Sequence, residues 1–89
     1  MKVTSQNVAH KLIDYLYHRI TLSELVDWAE LSMMEADFEE KDYATLRDII
    51  SRLGLADVKA FGITWDDCVN ILQLLGYCVD LKVTKIQAV

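Results

Sequence analysis

Apolar residues recur every three to four positions along most of this chain, and every second position near its end. The first period is that of a helix with one buried face; the second is that of a strand. Over Gln6–His18, Val8, Leu12, Tyr15 and Leu16 share a face, and Ile20 continues it just past the end. Thr4 or Ser5 is placed to cap this helix. Thr21-Leu-Ser-Glu24 is a capping box, and Ile20 and Leu25 stand at the two positions of a hydrophobic staple. Leu22, Leu25, Val26, Ala29, Met33 and Ala36 form the stripe of the second helix, widened by Trp28 and Leu31.

A third helix is predicted to begin within Asp37–Asp42, with Asp37 as cap and Tyr43, Leu46, Ile49, Ile50 and Leu53 as its buried face. Gly54 is expected to stop it in the left-handed conformation, with Leu55 folding back on Ile50. Thr64 and Asp67 open a fourth helix whose inner face is Cys68, Val69, Leu72 and Leu75. Gly76 ends it, with Tyr77 reaching Leu72. From Tyr77 to Thr84 the period becomes two, which predicts a half-buried strand. Its backbone needs a mate. The candidates are Val58–Ile63, which can instead be a short helix, Met1–Thr4, and the same strand of a second copy. The expectation is a single mainly α domain over residues 1–89, a four-helix compact unit with a small C-terminal strand element.

Composition adds one strong asymmetry. Residues 24–48 hold nine acids and two bases, Lys41 and Arg47, a net charge of −7, whereas the whole chain is −5. An acidic surface attracts basic partners and repels nucleic acid and anionic membrane. The acids nearest the junction of helices two and three, with the surface methionine beside them, are the candidate partner-binding set: Glu30, Met34, Glu35, Asp37, Glu39, Glu40 and Asp42. The 53% apolar content is high for 89 residues. Together with an unmatched strand it leads to the expectation of a homodimer. Met1–Lys11 has no apolar run, so no signal peptide is expected. No stretch approaches the ~18 apolar residues of a membrane span. A cytoplasmic chain with reduced thiols is the default expectation.

Other constellations point to chemistry only weakly. His10, Asp14 and His18 fall at i, i+4 and i+8, within about 80° of one another on a helix, but the outer two are roughly 12 Å apart by the rise. One ion cannot span them, so a metal-dependent enzyme requires a ligand from elsewhere. Cys68 and Cys78 are not a Cys-x-x-Cys pair, and a buried free cysteine behaves as a small hydrophobe. Phe61–Leu72 resembles the turn and second helix of a helix-turn-helix, which gives a DNA-associated regulator as the alternative function. Its first turn presents Trp65, Asp66 and Asp67, where a reading helix needs donors for phosphates and base edges. The Glu39–Asp42 cluster lacks the glycine and ligand spacing of a calcium loop. No nucleophile elbow or phosphate-binding glycine loop is present, and no cofactor, catalytic or metal set is expected.

The segment Tyr15-Leu-Tyr-His-Arg-Ile-Thr-Leu-Ser-Glu-Leu-Val-Asp-Trp-Ala-Glu30 resembles one found in small helical bacterial immunity proteins of the colicin D immunity kind. There, too, one helix ends, Ile-Thr starts the next, and a Trp-Ala pair follows. The likeness covers about sixteen residues and shares the capping chemistry described above. It implies a non-enzymatic protein that covers a basic nuclease with acidic groups. Both lines lead to the same expectation: a protein-binding module, immunity or antitoxin-like, with an acidic face for a basic partner.

Overall fold

A computed structural model describes residues 2–35, 37–59 and 61–86. The chain runs β1 (Lys2–Val3), α1 (Ser5–Leu16), α2 (Leu22–Glu35), β2 (Asp37–Phe38), a 3-10 turn (Glu40–Asp42), α3 (Tyr43–Leu53) and α4 (Trp65–Leu74). This is a mainly α, four-helix fold, as the periodicity predicts. The largest helix–helix interface joins α2 to α3, and α1 packs on α2, α3 and α4.

Local chemistry sets the helix starts. Thr4 caps α1, its hydroxyl accepting from the Asn7 N–H while the Asn7 side chain accepts from the Thr4 N–H. Thr21 and Glu24 make the same reciprocal pair ahead of α2, and Thr64 and Asp67 do so at α4. Each pair satisfies two backbone donors that the first turn would leave open. α4 ends in a full Schellman motif: Gly76 has φ 93°, its N–H donates to Gln73, and the Tyr77 N–H donates to the Leu72 carbonyl.

The core is drawn from one face of each helix. Val8 and Leu12 of α1, Leu25 and Ala29 of α2, Leu46, Ile50 and Leu53 of α3, and Cys68, Ile71 and Leu72 of α4 are buried together. Ser32 is also fully buried, on the inner face of α2. Its hydroxyl donates to the Trp28 carbonyl at 2.8 Å, so no polar group is left unpaired. Ser32 takes the inner position and turns Met33 outward, to 39% exposure, against the expectation that Met33 lies on the buried stripe.

Other boundaries differ from the sequence expectation for physical reasons. The strand pairing lies at the N-terminus, not the C-terminus. β1 and β2 run parallel with Lys2 opposite Asp37 and Val3 opposite Phe38, and the ladder is extended by the Glu39 N–H donating to Val3. Val3 is fully buried beneath it, so burial as well as hydrogen bonding fixes this pairing. The expected strand over Tyr77–Thr84 does not form: residues 77–86 carry no helix, strand, turn or bend. The described part of Val58–Ile63 is neither strand nor helix but a succession of turns, closed by the Gly62 N–H donating to Val58. Asp37 lies in β2 and caps nothing. Gly54 is right-handed, φ −64°, because the chain coils on through Leu55 and Ala56. That extra turn buries Ala56 and leaves Leu55 exposed, so Leu55 is not folded back as expected. Tyr43 is half-exposed, its ring meeting Phe38 edge-on at 5.9 Å. Met1, the α2–β2 residue Ala36 and residues 87–89 lie outside the described residues, as does Ala60.

Candidate functional site

The candidate acids follow one run of surface elements: the last turns of α2, then β2, then the 3-10 turn that precedes α3. Glu30 and Glu35 are exposed on α2, and Met34 beside them is 81% exposed. Asp37 is exposed in β2 and Glu40 in the 3-10 turn, whereas Glu39 and Asp42 are half-buried. Asp42 accepts from the Ser5 hydroxyl at 3.2 Å, which ties the 3-10 turn to the start of α1. This explains why Asp42 precedes α3 without a side-chain capping bond: its carboxylate faces another helix.

The electrostatics of this run are uncompensated. Among the described residues the ion pairs are Arg19–Asp14 at 3.2 Å and Arg52–Asp67 at 3.1 Å, and neither involves an acid of residues 24–48. The β1–β2 register places Lys2 next to Asp37, and Lys41 stands within the run. Among the described residues neither of these lysines, nor any other cation, forms an ion pair with the run. The sequence reading passed over Phe38 and placed Tyr43 on the buried face of the third helix. Phe38 and Tyr43 bracket residues 39–42 and pack against each other edge-on, adding an apolar element to the acidic run. Aromatic and methionine side chains next to charge are frequent anchors in protein interfaces. Their signal in the sequence was an aromatic residue on either side of the acidic run.

The other candidate groups lie elsewhere. His10 and Asp14 line a shallow depression with Lys2, Asn7, Lys11 and Trp28, where the Lys11 ammonium sits 5.8 Å from the Trp28 ring. Asp14 is engaged by Arg19, whose guanidinium also lies over the Tyr17 ring. His18 is past the end of α1, with φ 61°, so the helical spacing that placed it on a face with His10 and Asp14 breaks at Leu16. Among the described residues no three His, Cys, Asp or Glu side chains come together as a metal site.

Cys68 is buried, and burial pushes its thiol up to about 11, with the Asp67 charge adding to the effect. A thiol so raised is a poor nucleophile near neutral pH. Cys78 is exposed. At α4, Trp65 is half-exposed and Asp66 exposed, while Asp67 is held below the usual carboxylate value, first by the Thr64 backbone N–H, then by the Thr64 hydroxyl and Arg52. The first turn of the helix-turn-helix-like unit is therefore acidic and tied to α3. No helix among the described residues is long and apolar enough to cross a membrane.

A second surface feature escaped the sequence reading. Ile13, Leu16 and Tyr17 of the α1 end, Trp65 and Leu72 of α4, and residues 77–82 enclose an open groove of about 620 Å³. Tyr17 is 68% exposed on its edge. The helical stripes gave no sign of it, because Tyr17 and Trp65 fall outside those stripes. Comparison with models of known families, with curated proteins and with solved structures finds no match to this chain.

Proposed function

We propose that the protein is a non-enzymatic binding module that presents an acidic face to a basic protein partner, in the manner of an immunity or antitoxin protein. The face is Glu30, Glu35, Asp37, Glu39, Glu40 and Asp42, with Met34 as its apolar contact. One observation carries this reading. A surface run of carboxylates has no ion-pair partner among the described residues, so a cationic partner gains their attraction without first displacing an internal one. Asp42 is the exception in part, because it holds Ser5.

The test is capture from the native host with two baits, the wild-type chain and an E35Q/E39Q/E40Q variant. The expected result is a basic protein retained by the first bait, lost from the second, and associating more slowly as salt rises. Equal capture by both baits, or an on-rate independent of salt, overturns the proposal.

A further inference from the structure

We infer that residues 77–85 pair antiparallel with the same segment of a second copy, about a two-fold axis at Leu81. The inference is independent of the acidic face, none of whose residues enters this contact.

Three observations lead to it. First, the segment is open. Among the described residues, its last backbone hydrogen bond is from the Tyr77 N–H to Leu72, and none involves residues 78–86. Second, its apolar side chains continue off the core. Tyr77 and Val79 are half-buried against the helices, whereas Leu81 and Val83, on the same face by period two, are 69% and 83% exposed. Third, the internal mates are engaged. Lys2–Val3 is paired with Asp37–Phe38, and the Val58 to Gly62 stretch is closed on itself by turns.

Charge then selects the register. In an antiparallel pair, residues directly opposite share a face, so only registers that put odd positions opposite odd ones match apolar to apolar. With Leu81 opposite its own mate, Val79 meets Val83 of the other copy, and Asp80 meets Lys82 twice by symmetry. A shift of one position of the axis toward Asp80 sets Asp80 against Asp80. The same shift toward Lys82 sets Lys82 against Lys82. A parallel pairing in register does both. Like charges directly opposite are destabilising, and axes at Val79 or Val83 avoid them but form no Asp80–Lys82 pair, so the Leu81 axis, which forms two, is the favoured one. It also brings the second copy's Val83 over Val79, at the groove bounded by Tyr17 and Trp65. The result is a closed, isologous interface.

Light scattering coupled to size exclusion tests this over a wide concentration range. The expected mass at high concentration is twice the 10.2 kDa of one chain. L81K should be monomeric with an unchanged helical circular dichroism spectrum, because Leu81 is outside the helical core. D80K replaces both opposite-charge pairs by lysine pairs and should weaken the dimer about tenfold. The double variant D80K/K82D restores opposite charges in this register alone and should return the dissociation constant to within about twofold of wild type. A monomer at the highest concentration overturns the inference, and so does a dimer indifferent to D80K or not rescued by the double change. Failure of partner capture by the acidic face bears on none of these readings.

Discussion

His18 holds a left-handed backbone, φ 61°, immediately after the last residues of α1. Its N–H donates to Tyr15 and the Arg19 N–H donates to Asp14, the two bonds of a Schellman motif that glycine usually completes. For a residue with a Cβ this conformation costs about 1–2 kcal/mol. H18G relieves that cost but gains flexibility in the unfolded chain, an opposing effect of about 0.4–1 kcal/mol. The net expectation is stabilisation by roughly 0.5–1 kcal/mol, read as a higher urea midpoint at unchanged slope. A lower midpoint shows that the His18 side chain does more than occupy the turn. The two cysteines differ in the same residue-level way. With Cys68 buried and raised to about 11, and Cys78 exposed, a thiol reagent at pH 8 should modify one thiol per native chain and both in denaturant. Rapid modification of both in the native state contradicts the burial. C78S should then leave no fast-reacting thiol.

At the scale of elements, the α3–α4 connection depends on Arg52. Its guanidinium donates to the Gly62 carbonyl at 2.7 Å and to Asp67 at 3.1 Å, joining the end of α3 to the turn and the capping box that starts α4. R52M keeps the aliphatic stem and leaves that carbonyl without its donor. The expected loss is about 1–2 kcal/mol, near the lower end because both charged side chains are about one-third exposed. Asp67 gives the connection a pH dependence of known sign. Its folded pKa lies below the ordinary 3.8. Its contribution is therefore full above that value and is lost as pH falls through 3.8 toward the lower folded value. Urea midpoints measured down this range should fall for the wild type and fall less for D67N. Parallel curves exclude Asp67 as a source of acid lability.

Helix ends show where sequence reading succeeds. Thr21–Glu24, Thr64–Asp67 and Gly76 were legible because each motif closes within a few residues, so local chemistry alone determines it. The β1–β2 ladder was not legible. It joins Val3 to Phe38 across two intervening helices, and two-residue strands carry no readable period. Gly54 misled because a glycine permits the left-handed turn without requiring it. Buried Ala56 decided that the chain would coil on instead. For the candidate site, the acids were visible as charge. The Phe38–Tyr43 contact and the Tyr17–Trp65 groove depend on how elements meet, which no single stripe encodes.

Across the whole molecule, unpaired like charge outweighs paired charge, and this decides how salt acts. Ion pairs among the described residues are Arg19–Asp14 and Arg52–Asp67. Exposed pairs of this kind contribute about 0–1 kcal/mol each, so screening them costs little. Against them stand nine acids in residues 24–48, gathered on neighbouring elements with two bases among them. Folding concentrates this charge, because α2, β2 and α3 are brought together while the unfolded chain spreads it out. The Debye length shortens from about 30 Å at 0.01 M salt to about 8 Å at 0.15 M, a change that reaches across a face of this kind. Sodium chloride raised over that range should therefore increase the melting temperature at pH 7. The E35Q/E39Q/E40Q variant removes three of the repelling charges. It should melt higher than wild type at low salt and respond less to added salt. Three outcomes would place the repulsion too low to matter: a salt-independent melting temperature, a decrease with salt, or equal salt slopes for the two proteins. An acidic face without repulsion in the free protein would then have little stored electrostatic energy to release on a cationic partner. The salt response of the isolated chain thus tests the premise of the binding proposal before any partner is identified.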